Sequence, residues 1–350
     1  MKHKFITIGE IMLRLTPPDY EKIRTATTFE ARYGGSEANV ALSLANLGID
    51  ASFFTVVPDN SLGKSSVRMM RSNDVNCDSV VYSTAEETPT HRLGTYYLET
   101  GYGLRPCKVV YDRKHSAFSE YDFSKTDVKK MLEGYTWLHL SGITPALGTK
   151  CRDLILNCLK AAKEMNMTVS FDGNFRSTLW TWEEARDFCT LCLPYVNVLF
   201  GIEPYHIWKN EEDHSAGDVK DGIPFQPDFE QQEKVFRAFA DRYPNIKCIA
   251  RHVRFAHSCS ENSLMAYLWL NGKTYKSKRL TFHILDRVGG GDAFVSGIIY
   301  GLMNEYTPED TVNFGVAASA VKHTIHGDGN ITDDVSMIRH VMEMNFDIKR

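Results

Sequence analysis

No apolar run in this 350-residue chain approaches the ~20 residues that a helix needs to cross a bilayer. A helical membrane protein is therefore excluded. There is no basic excess either: 40 Lys and Arg stand against 44 Asp and Glu, leaving a net charge of −4. A general nucleic-acid binder would carry a basic stripe, so that class is set aside. The first nine residues have only a short apolar stretch and read as an opening strand, not a secretory leader. Eight cysteines are scattered between positions 77 and 259 without framework spacing, which predicts reduced thiols and a cytoplasmic protein. One CxxC, Cys189-Thr190-Leu191-Cys192, lacks a second pair. It is expected to pack inside a helix, because free cysteine behaves as a small core residue. His115, His139, His252 and His257 form no compact set with Cys or carboxylates, so no resident metal site is expected. No repeat or low-complexity tract is visible. What is present is ordinary globular material, 43% hydrophobic and 24% charged, enough for a full core.

Strand-like and helix-like segments alternate. Residues 5–15, 51–57, 136–141, 167–172 and 196–200 read as strands. Residues 38–47, 60–72, 149–166 and 182–193 read as helices, the first stopping at Gly48 and the second capped by Asp59 or Asn60. Short apolar strands separated by helices imply an α/β fold with a mostly parallel sheet covered on both faces. Two regions break the rhythm. Residues 90–99 and 106–111 predict a β-hairpin flap, and the polar stretch 210–228 reads as a surface insertion. Near the C-terminus, 264–270 and 274–280 flank Asn271-Gly272 and predict a hairpin.

The chemistry concentrates in Asp286-Arg287-Val288-Gly289-Gly290-Gly291-Asp292, which joins a strand ending at Leu285 to a helix starting at Asp292. Three glycines at a helix start leave backbone N–H groups open to an anion, and the helix dipole adds positive potential. An acidic residue beside an anion site makes sense if Asp292 accepts a proton from a hydroxyl that attacks phosphorus. The alternative is a tight turn followed by a helix cap. No Gly-Lys-Ser/Thr follows, so this is not a Walker A loop. A second cluster, Tyr33-Gly34-Gly35-Ser36-Glu37-Ala38-Asn39, again places glycines before a helix, with Asn39 about one turn in.

These two motifs resemble the signatures of the ribokinase-like (PfkB) carbohydrate kinases. Val109–Ala117, Leu138–Pro145 and Ser170–Trp180 further resemble the 2-keto-3-deoxygluconate kinase branch of that family. The resemblance implies one kinase domain over residues 1–350, a doubly wound sheet, and a small β-sheet lid formed by about 10–36 and 88–113. It implies a dimer paired through the lid. It implies ATP and Mg²⁺ as cofactors and a sugar acid as substrate, with no nucleic-acid or membrane partner. Asp292 falls on the catalytic base, and Gly289, Gly290 and Gly291 fall on the anion hole. Gly34, Gly35, Asn39, Tyr96, Tyr111, Arg113 and Arg176 fall on the substrate side. Asp286, Gly289, Gly291, Arg254 and Glu203 fall on the nucleotide side. The two substrate-side arginines also follow from chemistry, because a planar guanidinium grips a carboxylate bidentately.

Three departures stand out. Gly290 replaces the family's alanine. Gly201-Ile202-Glu203-Pro204-Tyr205 replaces the usual Asn-x-x-Glu, with Ile202 on the Asn and Tyr205 on the Glu. Arg251-His252-Val253-Arg254 replaces a smaller strand end. They keep two other readings open: a neutral-sugar kinase of the same family, and a sugar-acid-binding pseudokinase with a weakened ATP site.

Overall fold

The computed structural model describes residues 3–205, 228–332 and 334–344. In chain order the elements are β1 (Lys4–Ile8), β2 (Met12–Thr16), β3 (Glu30–Gly34), α1 (Ser36–Asn46), β4 (Asp50–Phe54), β5 (Val56–Pro58), α2 (Ser61–Arg71), β6 (Val81–Ser83), β7 (Thr95–Glu99) and β8 (Lys108–Asp112). Next come α3 (Ala117–Glu120), α4 (Val128–Leu132), β9 (Trp137–Ser141), α5 (Thr149–Glu164), β10 (Thr168–Asp172), α6 (Trp182–Cys192) and β11 (Val198–Phe200). The C-terminal part holds α7 (Phe229–Arg242), β12 (Cys248–Ala256), β13 (Glu261–Leu270), β14 (Lys273–Lys276), β15 (Leu280–His283), α8 (Gly290–Met303), α9 (Pro308–Lys322) and α10 (Val335–Met342). Of the stretch 210–228, only Asp228 lies within the described residues; it caps α7 through a bond from the Gln231 amide.

The large sheet runs β14-β13-β12-β11-β10-β9-β1-β4, with β15 also paired to β13. The strands from β4 to β12 pair in parallel, and β13 to β15 close one edge antiparallel. This is the ribokinase-like α/β architecture. Alternation along β1 divides the core: Phe5 packs on the α1/α8/α9 side with Phe294 and Phe314, and Ile6 packs on the other with Ile155 and Phe236. Leu270 pairs with Lys273 across Asn271 and Gly272, whose φ values of 48° and 95° meet the demand of a two-residue hairpin loop. Cys189 and Cys192 are both fully buried in α6.

A four-stranded sheet, β3-β2-β7-β8, stands apart from the large one. It corrects two strand boundaries. Residues 5–15 are two strands in different sheets, because the chain turns at Gly9-Glu10-Ile11. Residues 51–57 divide at Thr55, with β4 joining the large sheet and β5 pairing with β6. Apolar content alone does not register such changes of partner. Among the described residues, no helix is long and apolar enough to cross a membrane.

Candidate active site

A cavity of about 810 Å³ opens between the small sheet and the C-terminal ends of the parallel strands, where open α/β sheets present their ligand sites. Asp292, in the first turn of α8, lines it. Its Oδ2 accepts from Asn39 Nδ2 at 2.7 Å and its Oδ1 from Ser36 Oγ at 2.8 Å. Ser36 Oγ is fixed in turn by Asn174 Nδ2 at 2.8 Å, and Asn39 Oδ1 accepts from the Gly35 amide. Burial lifts the Asp292 pKa above its ordinary value, and the bonds from Asn39 and Ser36 and the Arg176 charge act against that rise. Such a carboxylate can accept a proton from a hydroxyl placed beside it.

Gly289 adopts φ +81°, and a Cβ there would lie 1.7 Å from the Asp328 carbonyl oxygen. Both the left-handed turn and the close approach therefore require glycine. The helix consequently starts at Gly290, two residues earlier than the sequence reading placed it. Among the described residues, the amides of Gly290, Gly291 and Asp292 donate to no protein acceptor. Unbonded N–H groups at the positive end of a helix dipole form an anion site.

Gly290 has a local cause. A Cβ at this position would lie 2.2 Å from His323 Cε1. The His323 ring is held by Nδ1, 2.7 Å from the Ser319 carbonyl; a carbonyl only accepts, so Nδ1 carries the proton. Burial lowers the His323 pKa to about 4, so the ring is neutral near pH 7.

The cavity has two cationic regions. Among the described residues, Arg176 bonds only its neighbouring Phe175 carbonyl, and its charge is felt by Asp172 and Asp292. Arg254 and Arg287 line the other end, where burial and the neighbouring Arg287 charge lower the Arg254 pKa, with no carboxylate partner among the described residues. Glu203 also lines that end, but its Oε1 accepts from Arg251 Nη2 at 2.9 Å. Ile202 and Tyr205 are buried in the core beside it. No group of three or more metal-ligating side chains gathers among the described residues. A divalent ion would thus find few direct protein ligands, which suits Mg²⁺ carried on a polyphosphate.

Gly35, Asn39, Tyr96, Tyr111, Arg113, Arg176, Glu203, Arg254, Gly289, Gly290, Gly291 and Asp292 all line this one cavity. Gly34 and Asp286 do not. Gly34 faces the Asp328 carboxylate, which a Cβ would meet at 2.2 Å. Asp286 is consumed inside the protein: it accepts from Arg14 at 2.6 Å, the Gly327 amide at 3.0 Å and the Val288 amide at 3.1 Å. A direct nucleotide contact for Asp286 is therefore corrected to a structural role. Arg113 needs a correction too. It is 7% exposed and donates Nε, at 3.0 Å, and Nη2 to the same oxygen of buried Glu10, so its charge is already matched. Tyr96 gives its hydroxyl to Asp328, and its ring lies 5.9 Å from that of Tyr111.

Several residues were missed. Asp172 ends β10 on the cavity wall; burial and the Asp292 charge push its pKa up to about 7. Glu37 is fully buried, accepting from Ser141 Oγ and Thr144 Oγ1, both at 2.7 Å. Asp172 and Asn174 lay within the quoted Ser170–Trp180 segment, and Arg287 within the quoted Asp286–Asp292 stretch, but Asp328 carried no local signal.

Such a fold, with a carboxylate beside bare amides at a glycine-rich helix start, is that of a small-molecule kinase. Residues 2–204 and 264–334 match the pfkB family of carbohydrate kinases, and the chain belongs to that family. It is 31% identical over 328 residues to a 2-dehydro-3-deoxygalactonokinase of Haloferax volcanii, covering 94% of this chain and 93% of the relative. It is 26% identical to a 2-dehydro-3-deoxygluconokinase of Bacillus subtilis, over 94% and 92% of the two chains. The crystal structure of a 2-dehydro-3-deoxygluconokinase from Thermotoga maritima superposes with a TM-score of 0.87 at 38% identity, covering 98% of this chain and 99% of the other.

Proposed function

We propose that this carbohydrate kinase transfers the γ-phosphoryl group of ATP to a sugar acid, 2-keto-3-deoxy-D-gluconate, at O6. The observation that carries the reading is Asp292, held by Asn39 and Ser36 at the mouth of a helix whose first amides are unbonded. Asp292 takes the proton of the attacking hydroxyl as the new O–P bond forms and ADP leaves. The amides of Gly290, Gly291 and Asp292 receive the charge on the transferred group, a preorganised electrostatic contribution. Arg254 and Arg287 meet the rest of the polyphosphate. Mg²⁺ supplies charge neutralisation between the phosphates when bound. Arg176 grips the substrate carboxylate, Gly35 and Asn39 receive its hydroxyls, and Tyr111 covers it. The names of the relatives support a 2-keto-3-deoxy sugar acid.

The small sheet acts as a lid over the sugar and excludes water, which would otherwise accept the phosphoryl group. Its outer strand β8 exposes Val109, Val110 and Tyr111. An open, partly apolar edge is a natural pairing surface, so we place a dimer contact there. The core-packed thiols fit a reducing cytoplasm.

An ADP-release assay over a panel of sugars tests this. Fastest turnover is expected with 2-keto-3-deoxygluconate or its galacto epimer, the substrate class of the relatives. Equal or faster turnover of fructose or ribose rejects the sugar-acid assignment. Burial of Ile202 and Tyr205 and the Glu203–Arg251 pair favour one other reading, a sugar-acid-binding pseudokinase. Calorimetric sugar binding with no nucleotide binding would select it.

A further inference from the structure

One buried charged group has no part in the chemistry above. Lys322, the last residue of α9, is fully buried. No carboxylate lies within ion-pair distance of its ammonium among the described residues; its partners are two backbone carbonyls, Ile325 at 3.2 Å and Asp286 at 3.4 Å. Ile325 belongs to its own helix terminus, where a cation is favoured by the dipole. Asp286 opens the glycine turn that presents the phosphoryl-binding amides.

The ammonium therefore joins two loops. Residues 286–289 and 323–328 are already stitched together: Leu285 and Asp286 amides donate to the His323 carbonyl, and the Gly327 amide donates to Asp286 Oδ2. Gly289 packs directly on the Asp328 backbone, and Ser319 Oγ donates to the Gly290 carbonyl at 2.7 Å. Carbonyl oxygens surrounding a dehydrated single positive charge are how proteins bind monovalent cations, and an ammonium is interchangeable with such an ion in charge and ligand preference. Burial lowers the Lys322 pKa below its ordinary value and the Arg14 charge adds to that, while the Asp286, Asp328 and Asp292 charges act against the fall.

We propose that Lys322 is a built-in monovalent cation, a positioning residue whose ammonium holds the Asp286–Gly289 turn and adds fixed positive charge behind the anion-binding amides. The proposal rests on the kinase reading for its effect on turnover. It makes the enzyme independent of added potassium or ammonium.

The test compares the wild type with Lys322→Met at constant ionic strength in tetramethylammonium, potassium or ammonium chloride. Wild-type ADP release should differ by less than about two-fold among the salts. Lys322→Met should lose about ten-fold or more in kcat, with the sugar KM little changed, and recover several-fold in potassium or ammonium chloride but not in tetramethylammonium chloride. Its melting temperature should rise with the two small cations only. That arm reads the vacated cation site directly, so it stands even if the substrate assignment is wrong. Clear stimulation of the wild type by potassium overturns the proposal, and needs no variant to fold. A Lys322→Met protein with normal kcat overturns it, as does one whose turnover and melting ignore the cation, which would make Lys322 a helix cap alone.

Discussion

The carboxylate of Asp292 and the side-chain amide of Asn39 meet at 2.7 Å, although 253 positions separate them in sequence. Two helix starts, α1 and α8, converge to make this contact, each preceded by glycine. The carboxylate is aimed by donors, since Ser36 Oγ also donates to it. A group aimed and partly desolvated in this way is suited to take a proton at one place only.

Removing that proton acceptor should stop turnover while sparing the architecture. Asp292→Asn retains the shape of the side chain and can still present an oxygen to Asn39. We expect kcat to fall by about 10²–10⁴-fold, the contribution typical of a general base. Sugar binding measured by calorimetry should stay within a few-fold. Near-normal turnover would remove Asp292 from the chemistry.

The two cationic ends of the cavity should respond separately. Arg176→Ala is expected to raise KM for the sugar acid and leave KM for ATP nearly unchanged. Arg254→Ala should do the reverse, because Arg254 and Arg287 face one another without a carboxylate among the described residues. Loss of one hydrogen-bonded charge contact costs about 1.5–3 kcal/mol, or roughly 10- to 150-fold in the matching constant. Collapse of ATP binding in Arg176→Ala would move that residue to the phosphate side.

What the sequence revealed, and what it concealed, divides by range of interaction. The Asn60 cap of α2, the Asn271-Gly272 hairpin loop and the start of α6 at Trp182 are local, and local chemistry dictates them. The glycine-rich turns were equally plain as turns before helices, and it was the family resemblance that separated an anion site from a tight turn with a cap. The pairing of Arg14 with Asp286 and Asp328 spans 272 and 314 positions, and no spacing rule connects such residues. Arg113 was read as a free anchor for the same reason: nothing in its neighbourhood names Glu10, 103 positions away, as its partner. Asp286, inside the most legible motif, was assigned outward when Arg14 in fact draws it inward.

Asp172 makes stability depend on pH. Its pKa is raised from 3.8 to about 7 by burial and by the neighbouring Asp292 charge. Between those values the unfolded chain releases the proton and the folded chain keeps it. Stability therefore falls as pH rises through this window, and the penalty is complete above it. Asp172→Asn should melt higher than the wild type at about pH 8, by roughly 1–2 °C per kcal/mol relieved in a chain of this length, with the gap closing toward about pH 4. A gap that is constant across pH would mean Asp172 does not titrate there.

Gly290 and His323 should behave as a coupled pair. The resembled family carries alanine at position 290, yet here a methyl group would sit 2.2 Å from His323 Cε1. The ring cannot retreat freely, because Nδ1 is bonded to the Ser319 carbonyl and the residue is buried. Gly290→Ala alone should cost about 1–3 kcal/mol by overpacking and lower kcat by shifting the adjacent amides. His323→Ala alone should also destabilise, by opening a cavity next to the glycine turn. Together the new methyl group enters the vacated space, so the double variant should be more stable than the sum of the single losses by about 0.5–3 kcal/mol, the range for residues in contact. Denaturant melts of the four proteins measure this. Losses that simply add would show that position 290 tolerates alanine by some other movement, and that His323 is not the reason for the third glycine.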